Sequence, residues 1–210
     1  MVSGAIDASF RALTLPAGQL PRGVEAARVL DEPVQLLTGP GHALADAHAV
    51  TPAGLAGHRI WMPGLVTGTE WDAYYGELAA TFGLTIDVTS PDFGTGPVLD
   101  VIAGSPALAT LVGEQTRLSR PAGAGLRRIP VRDPAPVYPH SLIWRSGNRH
   151  PALAALRAYL AARPPGQPGG AAWAPRWAQH PAPPRPAGPA ARPATAGRFL
   201  ARAAGTRGRS

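Results

Sequence analysis

Neither cysteine nor lysine occurs in the 210 residues. Without cysteine, no disulfide framework and no thiolate metal site can form. No run of about eighteen apolar residues exists either, which excludes a hydrophobic helix that crosses a bilayer. The first residues lack the basic-then-apolar order of a secretory signal, so the expectation is a cytoplasmic protein with no membrane partner. All twenty basic residues are Arg, set among 25 Gly and 25 Pro. That bias fits a GC-rich coding sequence better than a surface selected for Arg.

The net charge of +7 is unevenly spread. Residues 1–160 carry twelve Arg against thirteen acids, whereas residues 161–210 carry eight Arg and no acid. The globular part is therefore nearly neutral, and the basic pI belongs to the tail. From residue 163 the chain is Pro, Ala, Gly and Arg with almost no hydrophobic period, so disorder is expected there. Phe199-Leu200 has the makings of a helical turn but nothing to pack on. Such a tail can attract nucleic acid by releasing counterions. With only Trp173, Trp177 and Phe199 as stacking groups, an unselected extension is the favoured reading.

The most regular stretch runs from residue 58 to 113. Arg59-Ile60-Trp61-Met62 reads as a short buried strand that Pro63-Gly64 ends. Thr69-Glu70-Trp71-Asp72 has the form of a helix N-cap with an acid three residues on. Trp71, Tyr74, Tyr75, Leu78, Ala79 and Phe82 then fall on one helical face. Gly83 stands at the left-handed C-cap position. Leu84, Ile86 and Val88 alternate with polar residues as a strand does. Thr95-Gly96-Pro97 starts a second helix with Val98, Leu99, Val101 and Ile102 on its apolar side. Gly104 and Pro106 close it, and residues 107–112 make a third strand. This order predicts an open parallel α/β layer, which binds small molecules at the carboxyl ends of its strands.

Strands are also expected over residues 5–10, 24–30, 33–38, 126–131 and 137–145, with a short capped helix at Thr51-Pro52. A last helix opens at His150-Pro151, with Leu153, Leu156, Tyr159 and Leu160 on one side.

The order of segments resembles the effector-binding domain of LysR-type transcriptional regulators. The resemblance rests on Gly4-Ala5-Ile6-Asp7-Ala8-Ser9-Phe10, on Leu30-Asp31-Glu32-Pro33-Val34-Gln35-Leu36-Leu37, and on Gly41-His42-Ala43-Leu44-Ala45. Val50-Thr51-Pro52-Ala53-Gly54-Leu55-Ala56-Gly57 and His150-Pro151-Ala152-Leu153 complete it, over roughly residues 3–162. It implies a two-lobed fold like that of periplasmic solute-binding proteins. Residues 56–136 would be a complete second lobe; residues 1–55 and 137–162 would be what remains of the first. The family's winged helix-turn-helix, linker helix and first strand-helix-strand have no counterpart, and residues 163–210 match nothing in it. The chain thus reads as a truncated regulator with no DNA-reading element and an exposed, marginally stable first lobe.

The site to expect lies between the lobes. Loops 63–69 and 90–96 each run from a strand to a helix N-terminus, where free N–H groups and the helix dipole favour a small anion. Pro63, Gly64, Thr67, Thr69, Phe93, Gly94 and Thr95 are the candidates there. Arg11 would add charge from the opposite lobe, and Phe93 would cover an apolar ring. The alternative is that the threonines only cap helices and Arg11 is solvated.

Other constellations are weaker. His42, Asp46 and His48 have metal-like spacing but sit in what reads as a solvated loop, and Tyr138 and His140 read as a packed strand pair. Gly104-Ser105-Pro106 lacks a nucleophile-elbow frame, Asp87, Asp92 and Asp100 form no tight pair, and no phosphate loop is present. Neither catalysis, a metal nor a cofactor is expected. The expected function is sensing of a small organic anion for a LysR-type regulator, with homodimerisation left open by the incomplete first lobe. A transport solute-binding protein and a non-functional remnant are the alternatives.

Overall fold

Two long antiparallel strands, β2 (Val24–Thr38) and β7 (Ala135–Arg145), carry the chain between the lobes. The computed structural model describes residues 6–14, 19–88, 95–118, 125–163 and 170–179, the side chain of residue 95 excepted. In the first lobe, β7 lies between β1 (Ala8–Arg11) and the first part of β2. In the second, the end of β2 lies between β5 (Leu108–Gly113) and β6 (Arg127–Pro130). β3 (Arg59–Trp61) pairs in parallel with both β5 and β4 (Thr85–Asp87).

The expected parallel layer is present. β3 leads through α1 (Glu70–Phe82) to β4 on one side, and β4 returns through α2 (Thr95–Gly104) to β5 on the other. The chain changes direction at β3, which leaves a crevice between the loops at the carboxyl ends of β3 and β5. Strand alternation sorts the side chains into two cores. Leu36, Ile60, Ala109, Leu111 and Ile129 face α1 with Tyr74, Tyr75 and Leu78. Leu37 and Trp61 face α2 with Leu99 and Ile102. In the first lobe, α3 (Pro151–Ala161) sets Leu153 against Leu142 and Trp144.

The helix ends follow the sequence closely. Asp72 N–H donates to Thr69 Oγ1, and the Asp72 carboxylate accepts from Gly68 N–H, a reciprocal cap shifted by one residue. Gly83 closes α1 at φ 71°, a conformation that only glycine adopts without strain. Gly39 is required for a different reason. A Cβ there would run into the carbonyls of Ile102 and Ala103 at the end of α2.

Four expectations need correction. Residues 24–30 and 33–38 are one strand, because Asp31, Glu32 and Pro33 stay in register with Pro139, Tyr138 and Val137. Only a bulge between Arg28 and Leu30 interrupts the ladder. The boundary of the second lobe also falls earlier than residue 56, since Val34–Thr38 pairs with β5 and β6, and Leu36 and Leu55 join the α1 core. On the helices, Trp71, Val101 and Tyr159 are about half exposed rather than packed.

The fourth correction concerns the tail. Residues 170–179 are part of the fold, whereas residues 180–210, Phe199 and Leu200 among them, lie outside the described residues. Ala172–Trp173 forms β8, parallel to Ala135 and Pro136 of β7. Trp173 meets Tyr74 and Phe82 edge-on, at ring-centroid distances of 5.8 and 5.6 Å. The Glu77 carboxylate accepts from Arg176 N–H, and Arg28 of the first lobe donates to the Ala178 carbonyl. Trp173 and Trp177 are thus partly buried and packed against the core of the second lobe. Two aromatic anchors bury enough surface to order a segment whose average composition is breaker-rich.

Trp173→Ala is expected to cost about 2 kcal/mol, the loss of a partly buried aromatic side chain. Equilibrium urea unfolding followed by circular dichroism measures it. An unchanged midpoint would mean that the segment does not support the fold.

Candidate functional site

Residues from both lobes meet at the carboxyl end of β3. Arg11, the last residue of β1, faces Met62, Pro63, Gly64, Leu65, Val66, Thr69, Glu70 and Trp71 around a groove of about 250 Å³. Backbone geometry explains the placing. β3 ends at Trp61, Gly64 turns the chain at φ 79°, and Thr69 starts α1 so that its first turn looks back across the groove.

Arg11, Pro63, Gly64 and Thr69 therefore line one groove. Thr67 does not: its side chain is exposed and away from the groove lining. Phe93 and Gly94 lie outside the described residues, and Thr95 is seen only as the first residue of α2. Thr69 serves in part as a cap, for its hydroxyl donates to Val66 O at 2.7 Å while accepting from Asp72 N–H.

The main finding is a partner for Arg11. Its guanidinium forks onto Glu70, with Nε donating to Oε1 at 2.8 Å and Nη2 to Oε2 at 3.2 Å. The pair joins the lobes across the groove. The Arg11 side chain is 59% exposed and that of Glu70 17%. Sequence spacing shows Glu70 only as a first-turn acid. Nothing local marks a partner 59 residues away.

Behind this pair stand aromatic and ionic groups on the crossing strands. Trp71 contacts Tyr75 and Tyr138 at 5.9 and 5.7 Å. The Tyr138 ring is buried and its hydroxyl has no hydrogen-bond partner. Burial pushes the Tyr138 phenol well above its ordinary range, the Glu70 charge pushes it further, and Arg11 opposes both. Next along β7, His140 Nε2 is 2.9 Å from Glu32 Oε2, and Gln115 N–H donates to Glu32 Oε1 at 3.0 Å. The hydrogen bond with His140 holds the Glu32 carboxyl below its ordinary value, against the opposing effect of burial, with help from the Gln115 amide and the charge of Arg128. Glu32 thereby ties both crossing strands to the carboxyl end of β5. A Cβ on Gly113 would collide with its carboxylate.

A second groove of similar volume, about 250 Å³, lies between Pro33–Gln35, the β6–β7 turn and residues 170–171. It is remote from Arg11 and is partly walled by the C-terminal segment.

His42 departs from the solvated reading. It is 5% exposed, its ring lies 5.3 Å from that of His58, and its Nδ1 accepts from Leu44 N–H at 3.1 Å. Asp46 and His48 stay exposed, and no group of three possible metal ligands occurs among the described residues. No helix among them is long and apolar enough to cross a membrane.

A two-lobed, periplasmic-binding-protein-like α/β domain with an interlobe groove is thus defined, and its relatives agree. The LysR substrate binding domain family matches residues 2–165, and the chain belongs to that family. Its fold is similar to that of the Synechocystis CcmR regulatory domain solved with 2-PG (TM-score 0.56, 16% identity, 77% of this chain and 75% of that one). It is also similar to the reduced OxyR regulatory domain of Pseudomonas aeruginosa (0.54, 16%, 77% and 74%). A longer chain, the PA01 protein of P. aeruginosa assigned to the LysR regulators, matches at 0.56 and 16% over 77% of this chain. Only 54% of that longer chain is covered, so this sequence spans about half its length. None of the curated proteins matches.

The His42 environment gives a signed pH effect. Burial and the nearby His58 lower its pKa below the ordinary 6.5, so the folded state refuses a proton that the unfolded state accepts. Stability should fall as the pH drops below about 6.5 toward the lower folded value. Glu32 adds its own loss only at more acidic pH, below its ordinary 4.5. His42→Asn keeps an acceptor for Leu44 N–H, and should flatten the melting temperature between pH 7 and 5.5. A wild-type slope in that variant would exclude His42 as the cause.

Proposed function

We propose that this domain senses a small carboxylate-bearing metabolite, held between the lobes, on behalf of a LysR-type transcriptional regulator. The observation that carries the reading is the meeting of Arg11 from the first lobe with the loop 63–69 and the α1 N-terminus of the second. A carboxylate there finds a guanidinium fork and a helix dipole, the two features suited to that charge. The 2-PG bound to the CcmR domain supports a small ligand for this fold. The absence of cysteine removes a thiol–disulfide change as the sensed event, which leaves ligand binding. Family membership favours a regulator over a transport solute-binding protein, and the charged groups of the groove are paired with each other. In a complete regulator, a ligand that prefers the closed lobes would shift the way DNA is engaged.

Thermal-shift screening of the purified chain against metabolite carboxylates tests this reading. At least one should raise the melting temperature, and Arg11→Ala should weaken its affinity at least tenfold by calorimetry. Binding that ignores Arg11 would move the site elsewhere.

A further inference from the structure

The charges of the groove cancel, and this bears on what can enter it. A plain anion that takes the Nε–Nη2 edge of Arg11 displaces Glu70 from it. The Glu70 side chain is only 17% exposed, so it would be left charged, largely out of water and without its partner. That is an unfavourable exchange. A ligand carrying both charges avoids it. Its carboxylate replaces Glu70 on the Arg11 fork, its ammonium replaces Arg11 on Glu70, and one ion pair becomes two with no change in net charge.

The surroundings of Glu70 suit an ammonium independently of this argument. The Trp71 indole is 49% exposed beside it and is backed by Tyr75 and Tyr138. An acid next to an open aromatic face is the usual construction for holding an alkylammonium. The buried Tyr138 hydroxyl adds an unused polar atom behind the indole, within the field of both charges. On the other side, Met62, Pro63, Leu65 and Val66 give the groove an apolar wall, and its volume of about 250 Å³ suits one side chain rather than a peptide.

We infer that the ligand is an α-amino acid with an apolar side chain, its carboxylate on Arg11 and its ammonium between Glu70 and Trp71. The inference rests on the effector reading above and narrows its ligand class.

The test is calorimetry on the full chain with L-leucine and L-phenylalanine, each beside its N-acetyl derivative (anion only) and its methyl ester (cation only). The parent amino acid should bind at least tenfold more tightly than either derivative. Glu70→Gln should weaken the parent at least tenfold while improving the N-acetyl derivative, and Arg11→Gln should likewise weaken the parent while improving the ester. Circular dichroism melts establish that both variants fold. Equal binding of the N-acetyl compound and the parent would overturn the amino-acid assignment and leave an Arg11-dependent anion site. Equal binding of the ester would overturn it in favour of an amine site at Glu70. No binding of any of the six, with another metabolite still bound through Arg11, would refute the ligand class alone. Binding indifferent to both Arg11 and Glu70 would refute the effector reading as well.

Discussion

The β2–β7 ladder is the interaction on which the rest depends. It runs in antiparallel register from Val24 opposite Arg145 to Pro33 opposite Val137. Both strands then leave it for the second lobe, β2 running on to β5 and β6 while β7 has just come from β6. Each lobe therefore inherits its orientation from one shared pair of strands. Glu32 fixes the point of parting, since one of its oxygens meets His140 on β7 and the other accepts from Gln115 beyond β5. A hinge built this way twists rather than slides, because slipping by one residue would exchange the two faces of every strand.

From that geometry the groove follows. β1 is held on β7 with Arg11 opposite Ser141, and this register alone brings a guanidinium from the first lobe to the first turn of α1. The Arg11–Glu70 pair is then a contact between lobes as well as part of the groove's lining. The pair is lopsided, with the Arg11 side chain 59% exposed and that of Glu70 17%, so a ligand that gives each group a new partner loses less than one that leaves Glu70 without any.

How much of this could be read from the sequence depended on whether the signal was local. The β3–α1–β4–α2–β5 layer was legible because each element carries its own period and caps, down to Thr69 at one end of α1 and Gly83 at the other. The continuity of β2 was not, because Asp31-Glu32-Pro33 looks like a break until Tyr138 and Pro139 are set opposite it. Part of the groove lining was legible for the same reason: Pro63, Gly64 and Thr69 sit at a strand end and a helix start. Glu70 shows in the sequence only as a first-turn acid and Trp71 as a core residue, since their roles depend on β1 and β7. Helical period put Trp71 on the apolar stripe, but the first turn of α1 overhangs the groove, so the residue is half exposed rather than buried.

The C-terminal segment shows the same limit from the opposite side. Composition averaged over residues 163–210 predicts that nothing there can be buried, yet order requires only a few side chains with somewhere to go. Trp173 finds Tyr74 and Phe82 on α1, and the backbone beside it finds the free edge of β7 at Ala135 and Pro136. Because Arg28 of β2 also binds the Ala178 carbonyl, the segment touches both lobes. Any rotation of the lobes about the β2–β7 ladder must therefore carry residues 170–179 with one lobe and strain or break their contacts with the other. These residues therefore bridge the two lobes although they lie outside the stretch that the family shares.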